Sequence, residues 1–264
     1  MAAVTTVTFQ QRKKAGEKIT VLTAYDYPTA KLVDEAGVDA ILVGDSMGMA
    51  IMGRRDTLSV TVDDILHHTR MVTRAVERCF VIADMPFLSY QVNHEEALRN
   101  AGRLVAEGGA HAVKLEGGCD KYGDAIATIL RAGVPVMGHI GLTPQSVHQF
   151  GGYKIQGRDE AGRTRLLREA KGLEEIGCFA VVLECMPPDL AEEITQALSI
   201  PTIGIGAGPA CDGQVLVMHD MLGWGATRFT KTFADVKGTM KQAFEDYVSE
   251  VRAGTFPARE HTYS

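Results

Sequence analysis

Phe80-Val81-Ile82-Ala83-Asp84 and Ala112-Val113-Lys114-Leu115-Glu116 bracket the stretch that decides the fold. Between them, in the segment Asn93 to Glu107, Leu98, Ala101, Leu104 and Val105 recur at helical spacing. Side chains three and four positions apart share one face of a helix, whereas those two apart share one face of a strand. Strand, helix, strand over this length is a crossover unit, which joins parallel strands. The alternation continues outward on both sides. Upstream stand the runs Ile19 to Ala24 and Ala40 to Gly44; downstream stand Val134 to His139, Phe179 to Glu184, Thr202 to Gly206 and Val215 to His219. Eight such runs in 264 residues predict an α/β fold of the (β/α)8 TIM barrel type, for which ~250 residues is typical. No linker, repeat or low-complexity tract divides 1–264, so one barrel domain is expected.

Start signals support the intervening helices. Thr61 and Asp64 form a pattern like a capping box ahead of Ile65, Leu66, Thr69, Val72 and Val76, and Asp189 opens a helix with Leu190, Ile194, Ala197 and Leu198 on its core face. The segment from Phe233 to Val251 carries the strongest helical period in the chain. One link is short. The eight residues between Gly206 and Val215 are too few for an ordinary crossover helix, so either a one-turn helix stands there or one strand is misplaced. The long connections Ser46 to Cys79 and Ile140 to Cys178 are expected to carry extra loops over the active face.

Composition narrows the function classes. With 33 acidic and 27 basic residues the net charge is -6, and no basic run supplies the phosphate-neutralising patch that nucleic-acid binding requires. No apolar stretch approaches the ~20 residues of a membrane span, because Asp45, Asp84, Lys114 and Glu184 interrupt the longest ones. Lys13 and Lys14 follow the mildly apolar start rather than precede it, so no secretory leader is expected. Cys79, Cys119, Cys178, Cys185 and Cys211 are odd in number and form no CxxC pair, which predicts reduced thiols in a cytoplasmic protein.

Catalytic groups of such barrels sit at the C-terminal ends of the strands. Here the runs end in Gly44-Asp45-Ser46, Ala83-Asp84, Lys114-Leu115-Glu116, Gly138-His139 and Leu183-Glu184. Ala112, Lys114 and Glu116 share a face by strand alternation, as do Val182 and Glu184. A single acid at a strand end is ordinary solvated loop chemistry; four of them with Lys114 nearby require a cation or extra protons, since charges ~4 Å apart interact at roughly 4 kcal/mol for an effective dielectric near 20. Carboxylate oxygens without a His or Cys cluster suit Mg²⁺, which takes one or two protein carboxylates and fills its octahedron with water and substrate. His139 is read either as a general acid or positioning group at the mouth or as a hydrogen-bonded histidine of the core.

Other motif matches are weaker. Gly44-Asp45-Ser46-Met47-Gly48 fits the G-x-S-x-G elbow of a serine hydrolase with Ser46 as nucleophile, but a single strand precedes it and no oxyanion segment accompanies it. Gly204-Ile205-Gly206-Ala207-Gly208 lacks the last glycine of a phosphate-cradling loop, where Pro209 stands, and reads as a tight barrel turn. His94-Glu95 starts a zinc-protease motif that Leu98 breaks.

Several segments are more specific. Thr23-Ala24-Tyr25-Asp26-Tyr27, Val43-Gly44-Asp45-Ser46-Met47-Gly48, Ala83-Asp84-Met85-Pro86-Phe87, Val113-Lys114-Leu115-Glu116-Gly117-Gly118, Gly138-His139-Ile140-Gly141-Leu142-Thr143-Pro144-Gln145 and Phe150-Gly151-Gly152-Tyr153-Lys154 closely resemble the ketopantoate hydroxymethyltransferase family, as do Val182-Leu183-Glu184-Cys185 and Val217-Met218-His219-Asp220. The resemblance implies a magnesium-dependent barrel that moves a one-carbon unit from 5,10-methylenetetrahydrofolate to 3-methyl-2-oxobutanoate, giving ketopantoate on the route to pantothenate. It also implies a homo-oligomer, commonly a decamer. Carried over position by position, Asp45, Asp84 and Glu116 hold the metal, Asp45, Ser46, Asp84 and Lys114 hold the oxo acid, and Glu184 accepts the proton. The runner-up is a magnesium-dependent lyase or mutase of the related phosphoenolpyruvate mutase/isocitrate lyase superfamily, which shares the barrel. A barrel that merely binds metal and oxo acid is disfavoured, because it would leave Lys114 and Glu184 without a task.

Overall fold

In the computed structural model, which describes residues 2–225 and 227–263, eight parallel strands close into a barrel in chain order. They are β1 Ile19–Thr23, β2 Ala40–Val43, β3 Phe80–Asp84, β4 Ala112–Lys114, β5 Val136–Gly141, β6 Ala180–Glu184, β7 Thr202–Ile205 and β8 Gly213–Leu216. Closure pairs β8 with β1, Val215 lying beside Val21. The helices of this part are α1 Thr6–Ala15, α2 Tyr27–Glu35, α3 Met47–Ala50, α4 Val62–Thr73, α5 His94–Ala106, α6 Cys119–Arg131, α7 Val147–Phe150, α8 Glu160–Ile176 and α9 Pro188–Ala197. The capping box expected at Thr61 and Asp64 opens α4, and Asn93 caps α5 through the Glu96 N–H. Asp189 lies in the first turn of α9, inside the helix that it was expected to start.

The short link resolves as a misplaced strand. β8 spans Gly213–Leu216 rather than Val215 to His219, and His219 belongs to a short helix, α10 Met218–Met221. A glycine starts the strand for a steric reason: a Cβ at Gly213 would lie 2.4 Å from Ile19 O and 2.7 Å from Ile203 Cδ1. Strand alternation then fills the barrel. One connected core cluster includes Ile19 and Val21 of β1, Ala40 and Leu42 of β2, Phe80 and Ile82 of β3, Ala112 of β4, Met137 of β5, Ala180 and Val182 of β6, Ile203 of β7 and Val215 of β8. Below it α1 supplies a plug. Phe9 meets Phe179 edge-on at 5.5 Å and Phe80 at 5.9 Å between centroids, sealing the N-terminal end. One step further along the inward-facing series from Ile82, Ala112, Met137 and Val182 come Asp84, Lys114, His139 and Glu184. The apolar layers therefore lead directly to a charged layer at the C-terminal rim.

This compact unit runs to Val217 and another begins at Met218. The second holds α10 and α11 Val236–Ala253, which Asp235 caps through the Gly238 N–H. Tyr247 of α11 packs edge-on against Phe256 at 5.8 Å. Among the described residues no helix is long and apolar enough to cross a membrane.

Candidate active site

The charged layer is built from strand ends. Asp84 and Lys114 are register partners in neighbouring β3 and β4, and their side chains form an ion pair at 2.9 Å, almost fully buried. Glu116 lies two residues beyond Lys114, past the end of β4, with Oε1 3.8 Å from Lys114 Nζ. His139 of β5 stands between two acids: Nδ1 is 3.6 Å from Glu116 Oε1 and Nε2 is 3.2 Å from Glu184 Oε2. Asp45 follows the end of β2, and its backbone N–H donates to Asp84 Oδ2 at 3.2 Å. Directly after Glu184 the chain turns through Cys185 at φ 47°, a left-handed conformation uncommon outside glycine. The bend is pinned by the Cys185 N–H to Ile205 O, 2.9 Å, and by the Gln156 N–H to Cys185 O. It leaves the Glu184 side chain at the mouth, 15% exposed, while Asp84 and Glu116 are sealed.

Asp45, Asp84, Lys114, Glu116, His139 and Glu184 thus form one connected network. Ser46 stands beside it in sequence, but its Oγ pairs with Tyr25 Oη at 2.9 Å rather than with an imidazole, so the hydrolase elbow lacks its base there.

Burial sets the proton affinities. It pushes Asp45 well above the ordinary carboxylate range, and Asp84 and Glu116 push the same way. Asp84 is also raised by burial, against the pull of Lys114. Burial disfavours the Lys114 ammonium, yet Asp84, Glu116 and Asp45 outweigh it and keep the group charged. Glu116 loses by burial but ends below its usual value, held there by His139 and Lys114. For His139, burial and Lys114 favour the neutral ring, but the carboxylates on its two edges win and lift it to about 9. Lys114 Nζ also approaches His139 Nδ1, at 3.3 Å, and both groups lie close to Glu116 Oε1.

The network contains neutral residues that the strand-end logic had no means of finding. Gln145, in the turn Pro144–Ser146 after β5, donates from Nε2 to Asp45 Oδ2 at 2.9 Å and from its backbone N–H to Glu116 Oε2 at 2.9 Å. Tyr90 accepts the Glu116 N–H at 3.2 Å and lies 2.8 Å from Gln145 Oε1. Glycines make room for these turns. At Gly141, φ 97°, a Cβ would lie 2.2 Å from Glu184 O, and at Gly117, φ 108°, one would run into the Tyr122 ring at 2.7 Å.

Among the described residues no three Asp, Glu, His or Cys side chains surround a common point as a ready metal cage. Asp45, Asp84 and Glu116 are instead joined in series through Lys114, Gln145 and the Asp45 amide. The donor set still suits a hard divalent cation, which needs only one or two protein carboxylates. Asp84 Oδ1 is buried against the Lys114 ammonium at 2.9 Å, a contact that takes one of its lone pairs and leaves another. A buried carboxylate oxygen in that state has capacity to coordinate.

The family model described as ketopantoate hydroxymethyltransferase matches residues 3–259 of this chain. A protein of Clostridium novyi (strain NT) named 3-methyl-2-oxobutanoate hydroxymethyltransferase is 57% identical over 262 residues, covering 98% of this chain and 95% of its own length. Solved structures extend the likeness of fold. Phosphonopyruvate hydrolase in complex with oxalate and Mg²⁺ superposes with a TM-score of 0.66 at 14% identity, covering 98% of this chain and 93% of that one. 2,3-Dimethylmalate lyase, described as a member of the PEP mutase/isocitrate lyase superfamily, superposes with a TM-score of 0.62 at 16% identity, covering 99% and 93%.

Proposed function

The chain belongs to the ketopantoate hydroxymethyltransferase family, and from that membership we propose that it transfers a hydroxymethyl group from 5,10-methylenetetrahydrofolate to 3-methyl-2-oxobutanoate, forming ketopantoate for pantothenate biosynthesis. The observation that carries the reading is the placement of Glu184. It is the most open acid of the layer, held at the mouth by the Cys185 turn and 3.2 Å from His139, across from the sealed Asp84–Lys114–Glu116 group.

Asp45, Asp84 and Glu116 are the residues that would hold Mg²⁺. When bound, the ion supplies Lewis acidity toward the carbonyl of a 2-oxo acid, which acidifies the neighbouring C–H. Lys114 presents its ammonium to the substrate carboxylate or to the oxygen on which negative charge develops; a single well-placed partner of that kind is worth ~2.7 to 4 kcal/mol. Glu184 takes the C3 proton, and the resulting carbon nucleophile attacks the methylene carbon of the folate as one of its two C–N bonds breaks; water then supplies the hydroxyl oxygen as the second C–N bond breaks, and tetrahydrofolate leaves with the protons on its nitrogens. His139 holds Glu184 through Nε2 at 3.2 Å and couples it to Glu116 through Nδ1 at 3.6 Å. Ser46, fixed by Tyr25, offers a hydroxyl to the oxo acid.

The test is exchange of the substrate C3 proton with solvent, followed by NMR in D₂O. Glu184→Gln should bind oxo acid and magnesium as the wild type does and lose the exchange; exchange at the wild-type rate removes Glu184 as base. Formation of ketopantoate should cease after chelation and return with Mg²⁺. The family resemblance also carries the proposal of a cytoplasmic homo-oligomer of decameric size, which light scattering on the eluted protein checks.

A further inference from the structure

Gln145 is joined to two of the three carboxylates through different parts of the same residue. Its side-chain Nε2 reaches Asp45 Oδ2 at 2.9 Å, and its backbone N–H reaches Glu116 Oε2 at 2.9 Å. These contacts link residues 100 and 29 positions apart in the chain, so the folded sheet brings them together. The amide is also locked against rotation. Nε2 faces Asp45 Oδ2 and, at 3.0 Å, the Met85 carbonyl, while Oε1 faces Gln91 Nε2 at 3.1 Å and Tyr90 Oη at 2.8 Å, whose single proton the Glu116 carbonyl also reaches at 2.9 Å. Two donors and two lone pairs are all that a primary amide has, and each of them faces a partner. Turning it over would set oxygen against the Met85 carbonyl oxygen and nitrogen against the Gln91 nitrogen.

Packing alone does not call for this. Gln145 is 6% exposed, and an apolar side chain of equal length would fill the same space without needing four partners. What the amide adds is orientation. It fixes one oxygen of Asp45 and, with its own backbone, one oxygen of Glu116, while the Asp45 N–H fixes one oxygen of Asp84. Each carboxylate is thus held at one oxygen by an N–H, which leaves its rotation about the terminal bond defined before any ligand arrives.

We propose that Gln145 is a positioning residue that presets Asp45 and Glu116 for a divalent cation, with Tyr90 holding its amide in the required sense. The proposal rests on the reading that these carboxylates take such an ion. Groups one shell out from a metal typically alter affinity by roughly 10–100-fold when removed, because the bare ligands must then be ordered at the expense of binding.

The experiment is a Mn²⁺ titration of the full-length, metal-stripped protein followed by EPR. The proteins compared are wild type, Gln145→Met, which keeps length, flexibility and the backbone N–H to Glu116 but has no side-chain donor, and Tyr90→Phe, which leaves the amide and removes one of the two groups facing its oxygen. Gln145→Met should weaken Mn²⁺ by roughly 10–100-fold and change the spectrum of the bound ion, which a loss of global stability would not do. Tyr90→Phe should move the affinity in the same direction by less. Unchanged affinity and spectrum in a folded Gln145→Met protein overturn the proposal; if that variant does not fold, unchanged values in Tyr90→Phe overturn it. Failure of the wild type to bind Mn²⁺ overturns the cation reading itself and the proposal with it, whereas wild-type binding with unaffected variants removes only Gln145.

Discussion

Lys114 is an ammonium closed off from water among Asp84, Glu116 and Asp45, and its positive charge makes the burial of those acids tolerable. Removing one partner of a buried pair commonly costs ~3–5 kcal/mol, because the other is left uncompensated. Asp45 and Asp84 are already pushed toward the protonated form, so the lower end applies. Lys114→Met should destabilise the metal-stripped protein by ~3 kcal/mol, read from urea unfolding in EDTA. Wild-type stability in that variant would show that the acids around it carry no charge in the folded state. The residues legible from sequence are those whose type and parity betray them: Asp84, Lys114, His139 and Glu184 continue the inward series of their strands by two. Gln145 and Tyr90 were not legible as members of the site. A neutral amide and a phenol carry no charge to be balanced, and their partners Asp45 and Glu116 become neighbours only after the barrel closes.

At the scale of elements, what strand–helix alternation missed was α1 and the true position of β8. Among the residues of α1 only Phe9 is buried, so the helix has no apolar stripe for periodicity to find; its task is to place one ring into the trio with Phe80 and Phe179. Phe9→Ala should therefore cost ~3–5 kcal/mol, as loss of a buried phenylalanine does, and a change below ~1 kcal/mol in chemical unfolding would mean that the barrel floor repacks. β8 was displaced because its apolar run starts at Val215, whereas the strand begins at Gly213, where the close approach of Ile19 excludes a side chain. A second element-level device joins the end of α2 to the start of β3. Asp34 accepts the N–H groups of Glu77, Arg78 and Cys79 at 3.0, 3.1 and 2.6 Å. Partial burial raises its proton affinity, but those donors outweigh it and hold the carboxyl below its usual value. A carboxyl lowered in the folded state contributes stability that is fully present above its unfolded pKa, about 3.9, and is lost as pH falls through the folded one. Asp34→Asn should be less stable than wild type by about 1 kcal/mol at pH 7, with the gap closing below about pH 4. A gap that persists unchanged in acid would assign the effect to shape rather than charge.

For the barrel as a whole, the decisive property is that its charged rim exists only when the sheet is closed. Asp45, Asp84, Glu116 and Gln145 come from the ends of four consecutive strands, and an extended chain holds no two of them in a fixed relation. A cation that engages these carboxylates in the folded state and not in the unfolded one adds its binding free energy to folding, by RT ln(1 + [L]/Kd). At a hundredfold excess over Kd that is about 2.7 kcal/mol. Mg²⁺ should accordingly raise the thermal midpoint of the EDTA-treated protein by several degrees, in proportion to the logarithm of its concentration once above Kd. Sodium at matched ionic strength should not, because screening acts weakly on buried charges. Asp84→Asn, which keeps the shape of the side chain and the acceptor for the Asp45 N–H, should remove most of the magnesium response. If Mg²⁺ moves wild type and Asp84→Asn alike, the ion binds elsewhere on the surface; if it moves neither, the acids of the rim are balanced by Lys114 and protons alone.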